Sequence, residues 1–287
     1  MSHDRQVGRV RQLSRYPVKS MLGEDLDRAY VDEAGIAGDR AFAVLDCLTG
    51  RVASAKNPRL WRDMLTVRST LLPPDAAGAP AVRLTMVDGM TGTVTVTGHR
   101  DSALSTLLGR DVRLLDRAAP GATIERMDPD QVRTDDDLSR AQTASSVLAA
   151  GSPPGTFFDF APLHLMTTAT LTALAAHSGR PVDARRFRPN VVVEVPDPGA
   201  GLVENLWPGR RLRIGRDVVA EVVVATPRCV VPALRHGDVE PDVALLQVLS
   251  RHNRLRLEGV GVLPCAGVYA RPLEFGVIRS GDPVEFC

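Results

Sequence analysis

The chain has 287 residues, 44% of them hydrophobic, enough for one large domain or two ordinary ones. Its 35 basic and 34 acidic side chains leave a formal net charge of +1, which excludes bulk electrostatic attraction to nucleic acid or to a membrane surface. No window approaches the roughly 20 apolar residues that span a bilayer. The opening Met1-Ser2-His3-Asp4-Arg5 has no apolar stretch, and Cys47, Cys229, Cys265 and Cys287 show no CxxC spacing. We therefore expect a soluble cytoplasmic protein with reduced thiols and with neither nucleic acid nor membrane as a partner.

In chain order, residues 7–13, 26–31 and 41–46 carry apolar runs between Gly- and Pro-bearing turns and read as strands. Residues 82–87 and 93–97 read as a hairpin around Asp88-Gly89-Met90-Thr91-Gly92. Residues 101–108 read as a helix capped by Asp101, followed by a strand at 112–115. From 116 to 156 Asp, Arg, Pro and Gly dominate without a clean period, apart from a short helical stretch near 145–150. That segment reads as a long, partly mobile connection at a domain boundary. A strand at 162–166 follows. The next helix starts at a Thr167 or Thr168 cap, runs through His177 and stops at Gly179. Strands are expected at 191–195, 212–215 and 218–225, and a helix at 242–249. Residues 276–286 read as a hairpin turning at Ser280-Gly281-Asp282. Many strands and few helices at this spacing predict an α+β, mostly β architecture rich in β-barrel.

Several chemistries find no motif. There is no GxGxxG, no GxxxxGK[ST], no GxSxG and no HExxH, and the six histidines have no metal-ligand spacing. They read as surface or core residues. The strongest single feature is Thr226-Pro227-Arg228-Cys229. A β-branched strand precedes it, Pro227 cannot donate to a ladder and ends the strand, and Arg228 sits next to the cysteine in sequence. A guanidinium beside a thiol favours the thiolate, the form that attacks electrophiles and binds metals. Three loops offer anion-binding groups: Tyr16-Pro17-Val18-Lys19-Ser20, Gly38-Asp39-Arg40 and Arg188-Pro189-Asn190. Lys19 and Lys56 are the only lysines, the other 33 of the 35 basic residues being Arg. Lys, Arg and Ser converging on one spot would suit a phosphate. Lys56 reads as a surface residue, Cys265 as structural, Cys47 and Cys287 as incidental, and Trp61 and Trp207 as packing residues.

Taken together, these motifs resemble the MOSC proteins, in particular two-domain members with an N-terminal β-barrel, the kind that includes the amidoxime-reducing components and bacterial relatives. The resemblance also takes in Gly35-Ile36-Ala37, Asn57-Pro58-Arg59-Leu60, Phe158 through Leu165, Arg186-Phe187, and Ser280 through Val284. It implies an N-terminal domain over 1–120, a connection over 121–156 and a MOSC β-barrel over 157–287. It further implies a molybdenum–molybdopterin cofactor with Cys229 as the catalytic metal ligand. Lys19, Ser20 and Arg40 would hold the phosphate end, and Arg188 and Asn190 the pterin. Thr226, Pro227 and Arg228 would shape the pocket, with Asp159 and Phe160 nearby. The activity implied is reduction of a small N-oxygenated substrate, with electrons from a separate donor protein. The alternative is a cofactor carrier, or a sulfur carrier using a Cys229 persulfide. The chain departs from its relatives after Cys229. Many of them carry a threonine and an Asp-x-x-Thr-Gly segment there, whereas this chain has Pro232 in that loop. No clustered cysteines for an iron–sulfur centre are present.

Overall fold

The computed structural model describes residues 6–74, 81–87, 93–97, 102–148, 152–197 and 199–287. The expected loop at 88–92 and the expected cap Asp101 lie outside these residues.

Seven strands close a β-barrel. They are β1 (Gln6–Arg15), β2 (Leu163–Thr167), β3 (Val191–Glu194), β4 (Arg211–Ile214), β5 (Val218–Pro227), β6 (Gly261–Glu274) and β7 (Pro283–Phe286). The order around the barrel is β2-β3-β1-β7-β4-β5-β6, and β6 pairs back onto β2. Only β2 and β3 run parallel. A parallel pair needs a crossover, supplied here by helix α1 (Thr168–Ser178). Thr167 caps α1 by accepting from the Thr170 amide at 3.1 Å, and Gly179 in the left-handed conformation ends it, as the sequence predicts. Helix α2 (Ala244–His252) packs on α1, where Leu174, Leu245 and Leu249 share a cluster with Met166 and Phe187. The barrel core contains Leu13, Leu165, Val193, Ile214, Val268 and Trp207, all fully buried or nearly so.

A second core, with Val18, Phe42, Trp61, Leu84, Val96, Leu104 and Leu114, lies under two smaller sheets. One is an antiparallel meander of Val67–Leu72, Ala81–Met86 and Thr93–Thr97. The other pairs Ala43–Asp46 with Val112–Leu115. The helix before it spans Ser102–Leu108. The whole is α+β and mostly β, as the sequence predicts. The first strand of the chain, β1, is a stave of the barrel whose other six strands lie beyond residue 160.

Four local expectations are corrected. The described residues of the 116–156 segment build an antiparallel ribbon of Thr123–Met127 and Thr143–Val147, with a one-turn helix at Asp137–Arg140 between. Residues 145–147 are thus strand rather than helix. The helix-favouring residues are Leu148-Ala149-Ala150, while the backbone groups of the Ser145-Ser146-Val147 stretch are taken by the ladder to Thr123–Met127. The strand expected at 26–31 divides at Asp27. Glu24–Leu26 pairs with β1, while Arg28–Asp32 pairs with Gly35–Ile36 and Gly276–Arg279. The turn at Ser280-Gly281-Asp282 is present, but its two arms part. Gly276–Arg279 joins Arg28–Asp32, and β7 joins β1 and β4. Finally, Arg254–Leu257 and β6, which the sequence does not announce, form a hairpin. Pro264, Gly267 and Pro272 interrupt its pattern, and proline in a strand normally argues against one.

Candidate functional site

A cleft of about 300 Å³ opens where β2, the ends of β3 and β5, the 19–65 segment and the Thr123–Met127 ribbon meet. It gathers residues far apart in sequence: Lys19, Ser20, Arg40, Asp159, Phe160, Arg188, Asn190, Pro227, Arg228 and Cys229 all line it. Thr226 does not; its Oγ1 is buried beneath without a hydrogen-bond partner.

The backbone singles out the same place. Among the described residues only three non-glycines have positive φ: Ser20 at 63°, Arg40 at 47° and Arg188 at 56°. All three line the cleft. A non-glycine residue held in this region costs about 1–3 kcal/mol, and such strain gathers where function needs it. Local bonds hold it here. The Arg40 amide donates to the Tyr16 carbonyl at 2.8 Å, and Ser20 Oγ accepts from the Ala55 amide at 3.0 Å.

Six basic side chains line the cleft against the carboxylates of Asp159 and Glu258. Lys19 is 4% exposed; its Nζ donates to Asp159 Oδ1 at 2.7 Å and to the Phe157 carbonyl at 2.9 Å. Burial pushes Lys19 down to about 8, although Asp159 pulls the other way. Lys56 reaches the same Asp159 oxygen at 2.8 Å. Burial alone would raise the Asp159 carboxyl, but the two ammonium groups hold it well below the usual carboxylate range. Arg40 is paired with buried Asp39. Arg40 and Arg188 lie on the Tyr16 ring, 4.6 and 4.3 Å from its centroid, and burial pushes Arg188 down to about 10. Asn190 ties the halves together. Its Oδ1 accepts from the His164 amide at 3.1 Å, and its Nδ2 donates to the Ser14 carbonyl at 3.2 Å.

Cys229 follows the end of β5 at Pro227 and is 8% exposed, packed with Ala55, Leu65, Met127 and Val231. The Arg228 guanidinium does not bond to its sulfur. It donates to the Phe187 carbonyl at 3.1 Å and lies 3.5 Å from His164 Nε2, and its own Nε is buried without a partner. His164 is held neutral, first by burial and then by Arg228. A guanidinium only donates, so a neutral imidazole is the form that tolerates it at this distance. The loop after Cys229 turns through Val231–Ala233, with Pro232 inside the turn. Buried Arg186 clamps it, donating to the Pro232 carbonyl at 3.1 Å and to the Glu240 carbonyl at 2.5 Å.

Among the lining residues the sequence reading missed are the ionisable Lys56, Arg126, His164, Glu258 and Tyr269. Lys56 is no surface residue, and being one of two lysines was its available signal. The orphaned Arg228 Nε, the excess of positive charge and the single thiol fit a large anionic ligand that brings most of a metal's ligands with it. Among the described residues, no three His, Cys, Asp or Glu side chains group to hold a metal alone. No helix of the described residues is long and apolar enough to cross a membrane.

Comparison with known proteins gives two family matches: the MOSC N-terminal beta barrel domain over residues 7–111 and the MOSC domain over 153–285. The chain is 24% identical to mitochondrial amidoxime reducing component 2 of Rattus norvegicus, over 97% of this chain and 83% of that protein. It is 27% identical to mitochondrial amidoxime-reducing component 1 of Mus musculus, over 97% and 82%. Identity reaches 32% with component 2 of Homo sapiens, over 44% of this chain; that match spans only 37% of the human protein.

Proposed function

We propose that this chain, a MOSC protein whose N-terminal beta barrel domain precedes its MOSC domain, binds a molybdenum–pterin cofactor in the cleft and reduces small N-oxygenated substrates. The observation that supports this most is convergence. Lys19, Ser20 and Arg40 from the first third of the chain meet Arg188, Asn190 and Cys229 from its second half in one basic cleft, and three of the six carry strained backbone.

In this reading Lys19, Ser20 and Arg40 hold the cofactor's phosphate, and Arg188 and Asn190 hold the pterin. Asp159 keeps the two ammonium groups neutralised in their buried positions, and Phe160 closes that wall. Pro227 and Arg228 frame the metal end, with Thr226 buried behind them, and there Cys229 ligates as a thiolate, a soft donor suited to a transition metal. When bound, the metal centre supplies the two-electron chemistry. An N-hydroxylated substrate takes up two electrons and two protons and leaves as the reduced nitrogen compound and water. The relatives' name, amidoxime reducing component, points to this substrate class. The electrons come from a separate donor protein, and the setting is cytoplasmic. His164, held neutral beside Arg228, adds no second positive charge there, and the Phe187 carbonyl at 3.1 Å directs the guanidinium.

The test is metal and pterin analysis of protein made in a cofactor-competent host, followed by turnover of an amidoxime with an artificial electron donor. Stoichiometric molybdenum and pterin are expected, and Cys229→Ala should abolish turnover. Full activity in that variant sinks the reductase. A persulfide on Cys229 in molybdenum-free protein would replace it with a sulfur carrier.

A further inference from the structure

Five of the six basic residues lining the cleft are spoken for within the protein. Lys19 and Lys56 share Asp159, Arg40 has Asp39, Arg188 bonds the Met21 carbonyl, and Arg228 bonds Phe187 and His164. Arg126 is different. It is half-buried, it lines the cleft, and its guanidinium has no hydrogen-bond or ion-pair partner among the described residues. A partly desolvated guanidinium with five donors and no acceptor is unfavourable unless an anion meets it, and its planar fork matches a carboxylate.

Its position is specific. Arg126 lies on the strand Thr123–Met127, which runs beside the segment carrying Lys56: the Met127 amide donates to the Lys56 carbonyl at 2.8 Å. Met127, the next residue, and Ala55 pack in the apolar cluster that holds Cys229, so the strand runs between Lys56 and the cysteine cluster, and Arg126, on its other face, lines the cleft. The cleft also has apolar lining in Leu65, Val231, Leu257 and Val260. Leu257 and Val260 belong to the Arg254–Leu257/β6 hairpin. An ion pair of 3.0 Å between Arg254 and Asp130 ties that hairpin to the turn just after Met127. The cleft therefore combines a short apolar surface and an unpaired cation with the thiol. Glu258, on the hairpin tip, is exposed and makes no bond to Arg126.

We propose that Arg126 determines specificity by anchoring an anionic group of the substrate, so that the cleft prefers N-oxygenated compounds bearing a carboxylate on a short apolar body. This rests on the reductase reading for the N-oxygenated part and on Arg126 alone for the carboxylate.

The test pairs benzamidoxime with 4-carboxybenzamidoxime, using cofactor-loaded protein and an artificial donor. The native enzyme should favour the carboxylate in kcat/KM, chiefly through KM. In Arg126→Ala that preference should shrink by about tenfold or more, the value of a charge-assisted contact, and Arg126→Lys should keep part of it. The same contact is read without turnover by calorimetry of 4-carboxybenzamide against benzamide. Tighter binding of the carboxylate to the native protein, lost in Arg126→Ala, supports the anchor even if neither amidoxime is reduced; that result would defeat only the reductase. Equal affinity of the native protein for the two amides, or an unchanged preference in Arg126→Ala, overturns the anchor.

Discussion

At Lys19 burial and charge act against each other. The ammonium is almost sealed from solvent, which favours the neutral amine, while Asp159 at 2.7 Å favours the cation; burial wins and the pKa falls to about 8. An ordinary lysine keeps its charge to beyond pH 10. Lys19 therefore loses its proton, and its attraction for a phosphate, as the pH rises through 8. Inorganic phosphate titrated calorimetrically into cofactor-free protein should bind about tenfold more weakly at pH 9.5 than at pH 7.5, the value of a charge-assisted bond. Lys19→Arg should remove most of that fall, because a guanidinium stays protonated. A pH-independent affinity in the native protein would contradict the assignment. Single residues were legible here to different depths. Lys19, Arg40 and Arg188 stand out because loop position and residue type coincide. Arg126 and His164 do not, since each lies in a strand and only three-dimensional closure turns it toward the cleft. The pairing of Arg228 with Cys229 was misjudged for a related reason: adjacency in sequence does not aim a long side chain, and the guanidinium is held by Phe187 and His164.

Among the elements, β6 shows most clearly why part of the fold stayed hidden. It pairs with β5, with β2 and with Arg254–Leu257, bending through irregular register against β5. Such bends suit Pro and Gly, the residues that erase a strand's alternation. Gly267 is the tightest of these points. It has φ of +77°, and a Cβ there would lie 2.5 Å from His164 Nε2 and 2.6 Å from the Leu165 carbonyl oxygen. The imidazole could move, but the backbone oxygen belongs to the β2–β6 ladder that closes the barrel. Gly267→Ala should lower unfolding free energy by about 1–3 kcal/mol from backbone strain alone. A denaturant titration checks this, and an unchanged midpoint would show that β6 does not need glycine there. Elements with one strong local signal, such as α1 with its Thr167 cap and Gly179 stop, were legible. The arms around Ser280-Gly281-Asp282 were not, because a turn reports a reversal of direction and not which strands the arms then join.

For the whole molecule, the site and the barrel share their staves. β1 closes a barrel built mainly by the last third of the chain, and Tyr16, Lys19 and Ser20 follow directly from it into the cleft. Neither half can lose its packing without dissolving the site. Two buried histidines sit at this junction. His164 on β2 bonds across to Asn190, and His236, fully buried in the loop after Cys229, offers Nδ1 to the Leu234 carbonyl at 2.9 Å and leaves Nε2 without a partner. Burial pushes His236 down to about 3 and His164 well below its ordinary value. The unfolded chain protonates both near pH 6.5, whereas the folded protein keeps both neutral. Below pH 6.5 the unfolded state thus binds more protons, and stability falls as the pH drops from there toward the folded values; above 6.5 these groups contribute no pH dependence. The slope is at most about 1.4 kcal/mol per pH unit for each histidine, so together they should produce a steep acid loss between pH 6 and 4. Chemical denaturation at pH 7, 6, 5 and 4 reads this slope, and His236→Gln should remove about half of it whatever it does to stability at pH 7. A curve that is flat to pH 5 in the native protein would mean that the barrel opens to let the imidazoles protonate without unfolding, and that the cleft is softer than its packing indicates.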